Sequence, residues 1–132
     1  MRVLTYESEG NSWAGVQTDD GLIDAGELLS RDPLTVRALL EGGLLGDLPE
    51  ALADGFDPSR VSPGDPMPPI PDPDKIVCIG LNYRSHAAEA GIDPPRVPTI
   101  FAKFRNALVA DGATVALPAA SSKVDYEAEI AS

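Results

Sequence analysis

The chain has 132 residues, 43% of them hydrophobic, enough for one ordinary domain or one small domain and part of another. A formal net charge of −11, with ten basic residues that form no run, argues against nucleic acid or an anionic membrane surface as partner. No apolar stretch reaches the roughly 20 residues that span a bilayer, and MRVLTYESEG lacks a signal-peptide layout, so a cytoplasmic address is the expectation.

In chain order, RVLTYE (2–7) and SWAGVQ (12–17) read as strands joined by a turn at Glu9-Gly10-Asn11. A second turn at Asp19-Asp20-Gly21 leads into Leu22-Ile23, giving a small meander with Trp13 as its core anchor. Leu34, Ala38 and Leu39 show helical spacing after Asp32-Pro33, with Gly42-Gly43 as a stop, and residues 44–53 suggest another short helix. Residues 57–74 hold seven of the 13 prolines, which block helix and sheet interiors. They are expected to form an extended linker lying over a surface, or else a rigid loop within one domain.

Beyond it, KIVCIGL (75–81) is a wholly apolar strand, as in a sheet covered on both faces, with the lone Cys78 as a buried thiol. Asn82 is a candidate cap for a helix over 83–90, closed by Gly91. Residues 99–104 and 113–117 are candidate strands, and VDYEAEIA (124–131) a closing one. Alternation would set Asp125, Glu127 and Glu129 on one face of that last strand. Such a face is either half of a site for a hard cation, since all-oxygen sets suit Mg²⁺, Mn²⁺ or Ca²⁺, or a solvated acidic edge.

On the short helix His86 and Glu89 share a face at a spacing of three. A carboxylate beside an imidazole makes a general base, and a surface histidine with a chance neighbour gives the same pattern. Alternation places Phe101, Lys103 and Arg105 together, so Lys103 either points into a cleft to hold a substrate carboxylate or faces solvent. Tyr83 and Tyr126 read as packing residues. Phosphate-binding glycine loops, a serine-hydrolase elbow and zinc spacings are missing from the sequence.

In order and spacing, KIVCIGLNYRSHAAE (75–89), PTIFAKFRNALVADG (98–112) and VDYEAEIA (124–131) resemble the start of the catalytic domain of the fumarylacetoacetate hydrolase family, and the first 70 residues resemble the small β-rich domain that precedes it. The resemblance implies a mainly β (α+β) chain. A small N-terminal β-rich domain (1–56) and a Pro-rich linker (57–74) would precede the first part of a mixed, rolled β-sheet (75–132). It implies Mg²⁺ or Mn²⁺ on Glu127 and Glu129, a His86–Glu89 catalytic dyad, and homodimers when full length. The implied substrates are 2-oxo or β-diketo acids, which members hydrolyse at a C–C bond, decarboxylate or isomerise between enol and keto forms. A third acidic ligand and most of the sheet would lie beyond Ser132, so the expectation is an N-terminal portion of a longer member. The alternatives are a catalytically inactive truncated chain and an acidic, non-enzymatic binding or oligomerisation module.

Overall fold

The computed structural model describes residues 1–57, 64–126 and 128–131. It is a mixed structure with antiparallel sheets, as expected for an α+β chain. Strands β1 (Arg2–Ser8) and β2 (Asn11–Gln17) form a hairpin whose two-residue loop, Glu9-Gly10, has φ of 53° and 77°. Positive φ at both positions is a type I′ turn, whose twist matches that of the strands. After the second turn β3 (Leu22–Asp24) returns along β2. Its last residue, Asp24, caps α1 (Ala25–Leu28) by accepting the Glu27 amide at 2.9 Å.

Helix α2 (Val36–Glu41) starts at Thr35, whose hydroxyl accepts from the Ala38 amide. Of the expected helix at 44–53, the first residues form a 3₁₀ turn and Leu48–Ala53 form α3. One face of the sheet packs against these helices. Ala14, Val16, Ala25, Leu39 and Leu48 make the core, and Val3, Leu34 and Leu52 lean on it. Trp13, the expected anchor, is only half-buried. It pairs with Tyr6 across the hairpin, on the opposite face from Ala14 and Val16.

Within the Pro-rich stretch, β4 (Asp65–Met67) pairs antiparallel with β1, completing the order β3-β2-β1-β4. Pro66 is tolerated because β4 is an edge strand, where a missing amide breaks no inner ladder. The Thr5 hydroxyl donates to the Pro69 carbonyl, and Arg37 Nη2 binds Asp72 at 3.1 Å. Residues 58–63 lie outside the described residues.

The second sheet is a ribbon of β5 (Ile76–Gly80) and β6 (Thr99–Lys103). It is not covered on both faces among the described residues. The Val77, Ile79 and Ile100 face is open, with Val77 61% and Ile100 67% exposed. Cys78 is half-buried instead of buried, because it sits on a two-stranded ribbon and not in an inner strand. Between the strands, α4 (Arg84–Glu89) is capped by Tyr83 with no side-chain bond, so Asn82 is not the cap.

The helix closes as expected. Gly91 at φ 65° donates to Ala88 and Ile92 donates to Ala87, the paired bonds of a Schellman motif.

The other two strand expectations fail. Residues 113–117, and the described part of 124–131, are neither strand nor helix. Val115, Leu117 and Ile130 are exposed. Without a neighbouring ladder a β-prone sequence has nothing to pair with, and Asp125 Oδ1 instead accepts the Tyr126 amide at 2.8 Å.

Candidate functional site

The ribbon, α4 and the C-terminal segment surround a cleft of about 660 Å³. That volume lies within the range that holds small organic ligands. The chain reaches it by a sharp exit from β5: Leu81, at φ 52°, is a non-glycine residue in left-handed conformation, and it starts the turn into α4. From the helix, His86 and Glu89 both line the cleft. Their spacing of three puts them on one side of α4, while Ala87 between them is fully buried. His86 is half-buried and Glu89 exposed.

Lys103 lies opposite Ile76, at the end of the ribbon away from Gly80, and it lines the same cleft. Asp125 and Glu129 line it from the C-terminal segment. Four residues expected from sequence, His86, Glu89, Lys103 and Glu129, therefore face one space. The fifth, Glu127, lies outside the described residues.

Arg105 does not join Lys103, because β6 ends at Lys103 and Arg105–Ala107 is a 3₁₀ turn that breaks the alternation. Four lining residues were not expected there: Tyr83, Ser85, Tyr126 and Ala128. Tyr126 is 87% exposed, so it is not a packing residue. Its neighbours Asp125 and Glu127 in the sequence were the available signal.

The donors at this cleft fit a hard divalent cation in kind, since carboxylate oxygen is what Mg²⁺ and Mn²⁺ take. Among the described residues, however, no three His, Cys, Asp or Glu side chains come together closely enough to hold a metal ion. No helix among them is long and apolar enough to cross a membrane.

A family model described as "Fumarylacetoacetate (FAA) hydrolase C-terminal" matches residues 75–132, the segment that supplies every described residue of this cleft. The mitochondrial oxaloacetate tautomerase FAHD2A of Bos taurus is 35% identical over 113 residues, covering 84% of this chain and 36% of that protein. The mitochondrial oxaloacetate tautomerase fahd2 of Xenopus laevis is 32% identical over 137 residues, covering 99% of this chain and 43% of that one. A crystal structure given the HpcE designation, from Mycobacterium smegmatis, superposes with a TM-score of 0.66 at 27% identity, over 90% of this chain and 41% of its own. The chain thus spans well under half the length of these relatives. The matched segment carries His86, Glu89, Lys103 and the acidic segment together, and the chain belongs to the fumarylacetoacetate hydrolase family.

Proposed function

We propose that this chain contributes the His86 half of a divalent-metal-dependent active site for enol–keto chemistry on a 2-oxo acid. The observation that carries the reading is that His86, Glu89, Lys103 and Glu129 line one cleft. Oxaloacetate tautomerase is the activity named for the bovine and Xenopus relatives, and it sets the reaction class. A small oxo acid is then the partner, C–C hydrolysis and decarboxylation are the other outcomes within the class, and the active full-length assembly is a homodimer.

The side chains divide the work as follows. Lys103, an ammonium at the cleft wall, holds a substrate carboxylate and fixes the orientation of the carbon chain. The imidazole of His86 takes a proton from the carbon next to the oxo group. The C–H electron pair becomes the new C=C bond, the oxo oxygen takes up a proton from water to give the enol, the imidazolium returns its proton to the resulting hydroxide, and the reverse sequence restores the ketone. Glu89 is the positioning residue, aligning the imidazole for the transfer. Mg²⁺ or Mn²⁺, which Glu127 and Glu129 would hold, supplies positive charge for the oxygen on which negative charge develops.

The domain division at 1–56, 57–74 and 75–132 is part of the same proposal, supported by the start of the family match at residue 75. So is the cytoplasmic address, set against the mitochondrial names of the relatives.

The test follows decay of enol oxaloacetate by ultraviolet absorbance, with Mg²⁺ and with chelator, on the full-length protein that carries this chain and on its His86→Ala variant. The reading expects His86→Ala to lower turnover by about 10²–10⁴-fold with Mg²⁺ affinity unchanged. Equal turnover in the variant would remove His86 as the base. A second reading, a non-catalytic chain that pairs with another subunit, draws on the open Val77, Ile79 and Ile100 face. It is preferred if neither protein accelerates the decay while light scattering shows a larger assembly.

A further inference from the structure

A second cleft, of about 500 Å³, lies against the N-terminal sheet. Strands β1 and β2 supply Thr5 and Ser12, the start of α2 supplies Thr35 and Arg37, and residues 69–72 form the opposite wall. Among the described lining residues Arg105 alone comes from beyond residue 75, brought there by the turn that ends β6. None of the described residues of the His86 cleft takes part.

The polar groups here differ in what they have left to offer. The Thr5 hydroxyl donates to the Pro69 carbonyl and that of Ser12 to the Met67 sulfur, so both protons are used. The Thr35 oxygen accepts from the Ala38 amide, which leaves its own O–H to donate. Arg37 is tied to Asp72 through its carbonyl at 3.0 Å and its carboxylate at 3.1 Å, so those two charges offset each other. The Arg105 guanidinium makes no hydrogen bond or ion pair among the described residues. Among its described residues the cleft therefore carries one uncompensated cation and one spare hydroxyl donor, in a protein whose net charge is −11. Val36, Ile70 and Pro71 add an apolar strip beside them. A positive donor pair next to a hydrocarbon strip matches a ligand with an anionic head and a short carbon chain.

We propose that this cleft is a second ligand site, taking a small organic carboxylate whose head group is held by Arg105 and the Thr35 hydroxyl and whose chain lies on Val36, Ile70 and Pro71. The site does not depend on the catalytic reading, because it shares no described residue with the His86 cleft.

The experiment is an amide-resolved NMR titration of the 132-residue chain with hexanoate, using 1-hexanol and inorganic phosphate as controls. The expected result is saturable shifts at Thr35, Val36, Ile70 and Arg105, with His86 and Glu89 unmoved. Arg105→Ala is expected to weaken hexanoate about tenfold, the loss of one charge-assisted contact, and Arg105→Glu to abolish it. Arg105 is exposed, so both variants keep the fold, which their spectra check directly. The proposal is overturned if hexanoate gives no saturable shifts, if they fall only at His86 and Glu89, or if Arg105→Glu binds equally well. Equal binding of hexanol would remove the anionic head from the argument, and equal binding of phosphate would remove the carbon chain.

Discussion

The Tyr6 hydroxyl reaches across the sheet to donate to Asp24 Oδ2 at 2.7 Å, while Asp24 Oδ1 accepts the amide that starts α1. Both side chains are buried, and Gly15 between them has no room for a β-carbon, which would lie 2.5 Å from Leu22 Cδ1 and 3.0 Å from Tyr6 Cδ1. Tyr6→Phe takes away the donor that a buried carboxylate oxygen has in Tyr6. It is expected to cost about 1–3 kcal/mol in urea unfolding, with the m-value unchanged. A midpoint equal to that of the parent would mean that water replaces the hydroxyl fully. At the cleft, Lys103→Gln removes the ammonium proposed to hold a substrate carboxylate while keeping a polar side chain one atom shorter. KM for oxaloacetate is expected to rise by about tenfold or more with kcat less affected, the pattern of lost ground-state binding. A fall in kcat at constant KM would instead assign Lys103 to the proton transfer.

Among the elements, α1 shows two backbone constraints within five residues. A β-carbon on Gly26 would lie 2.6 Å from the Asp32 carbonyl oxygen and 3.0 Å from Pro33 Cα, both main-chain atoms that cannot swing aside. Gly26→Ala is therefore expected to destabilise by about 1–3 kcal/mol. Ser30 closes the same helix at φ 54°, with Arg31 donating to the Gly26 carbonyl. That conformation costs an L-residue about 1–2 kcal/mol relative to its usual basin, so Ser30→Gly is expected to raise the thermal midpoint while Gly26→Ala lowers it. A lower midpoint for Ser30→Gly would show that the serine side chain outweighs the strain. α1 itself was not legible in the sequence, because four residues are too few to display helical periodicity. The helix bearing His86 was legible, since Gly91 marks its end and the two polar residues stand at helical spacing. Asn82 was a poor guide to its start, because the left-handed turn is made by Leu81 and the cap falls on Tyr83.

For the whole molecule, the difference between the two sheets follows from what each has to pack on. The N-terminal sheet has three short helices over one face and a core at zero exposure, so its pattern of apolar residues could be read directly as a fold. The ribbon has one open apolar face, and residues 113–117 and the described part of 124–131 have β-prone sequence with no ladder. The alternation of Asp125, Glu127 and Glu129 was thus a correct pointer to a shared location for Asp125 and Glu129 and a wrong one to the secondary structure. Location comes from where the chain passes, whereas a strand needs a hydrogen-bonded neighbour.

This contrast should be measurable by amide hydrogen exchange, which reads the free energy of local opening. Amides of β1 and β2 that bond within the hairpin, and those of Leu39 and Ala51 that bond within the helices, are expected to exchange only on near-global opening. The β5–β6 ladder is expected to open at lower cost, since a two-stranded ribbon with one bare face is marginal by itself. Amides at 114–117 and 128–131 are expected to exchange within the dead time. Covering the Val77, Ile79 and Ile100 face by self-association would protect β5 and β6 selectively at high protein concentration. Ribbon protection equal to that of β1 and β2 at low concentration would show that the ribbon is stable without such a cover.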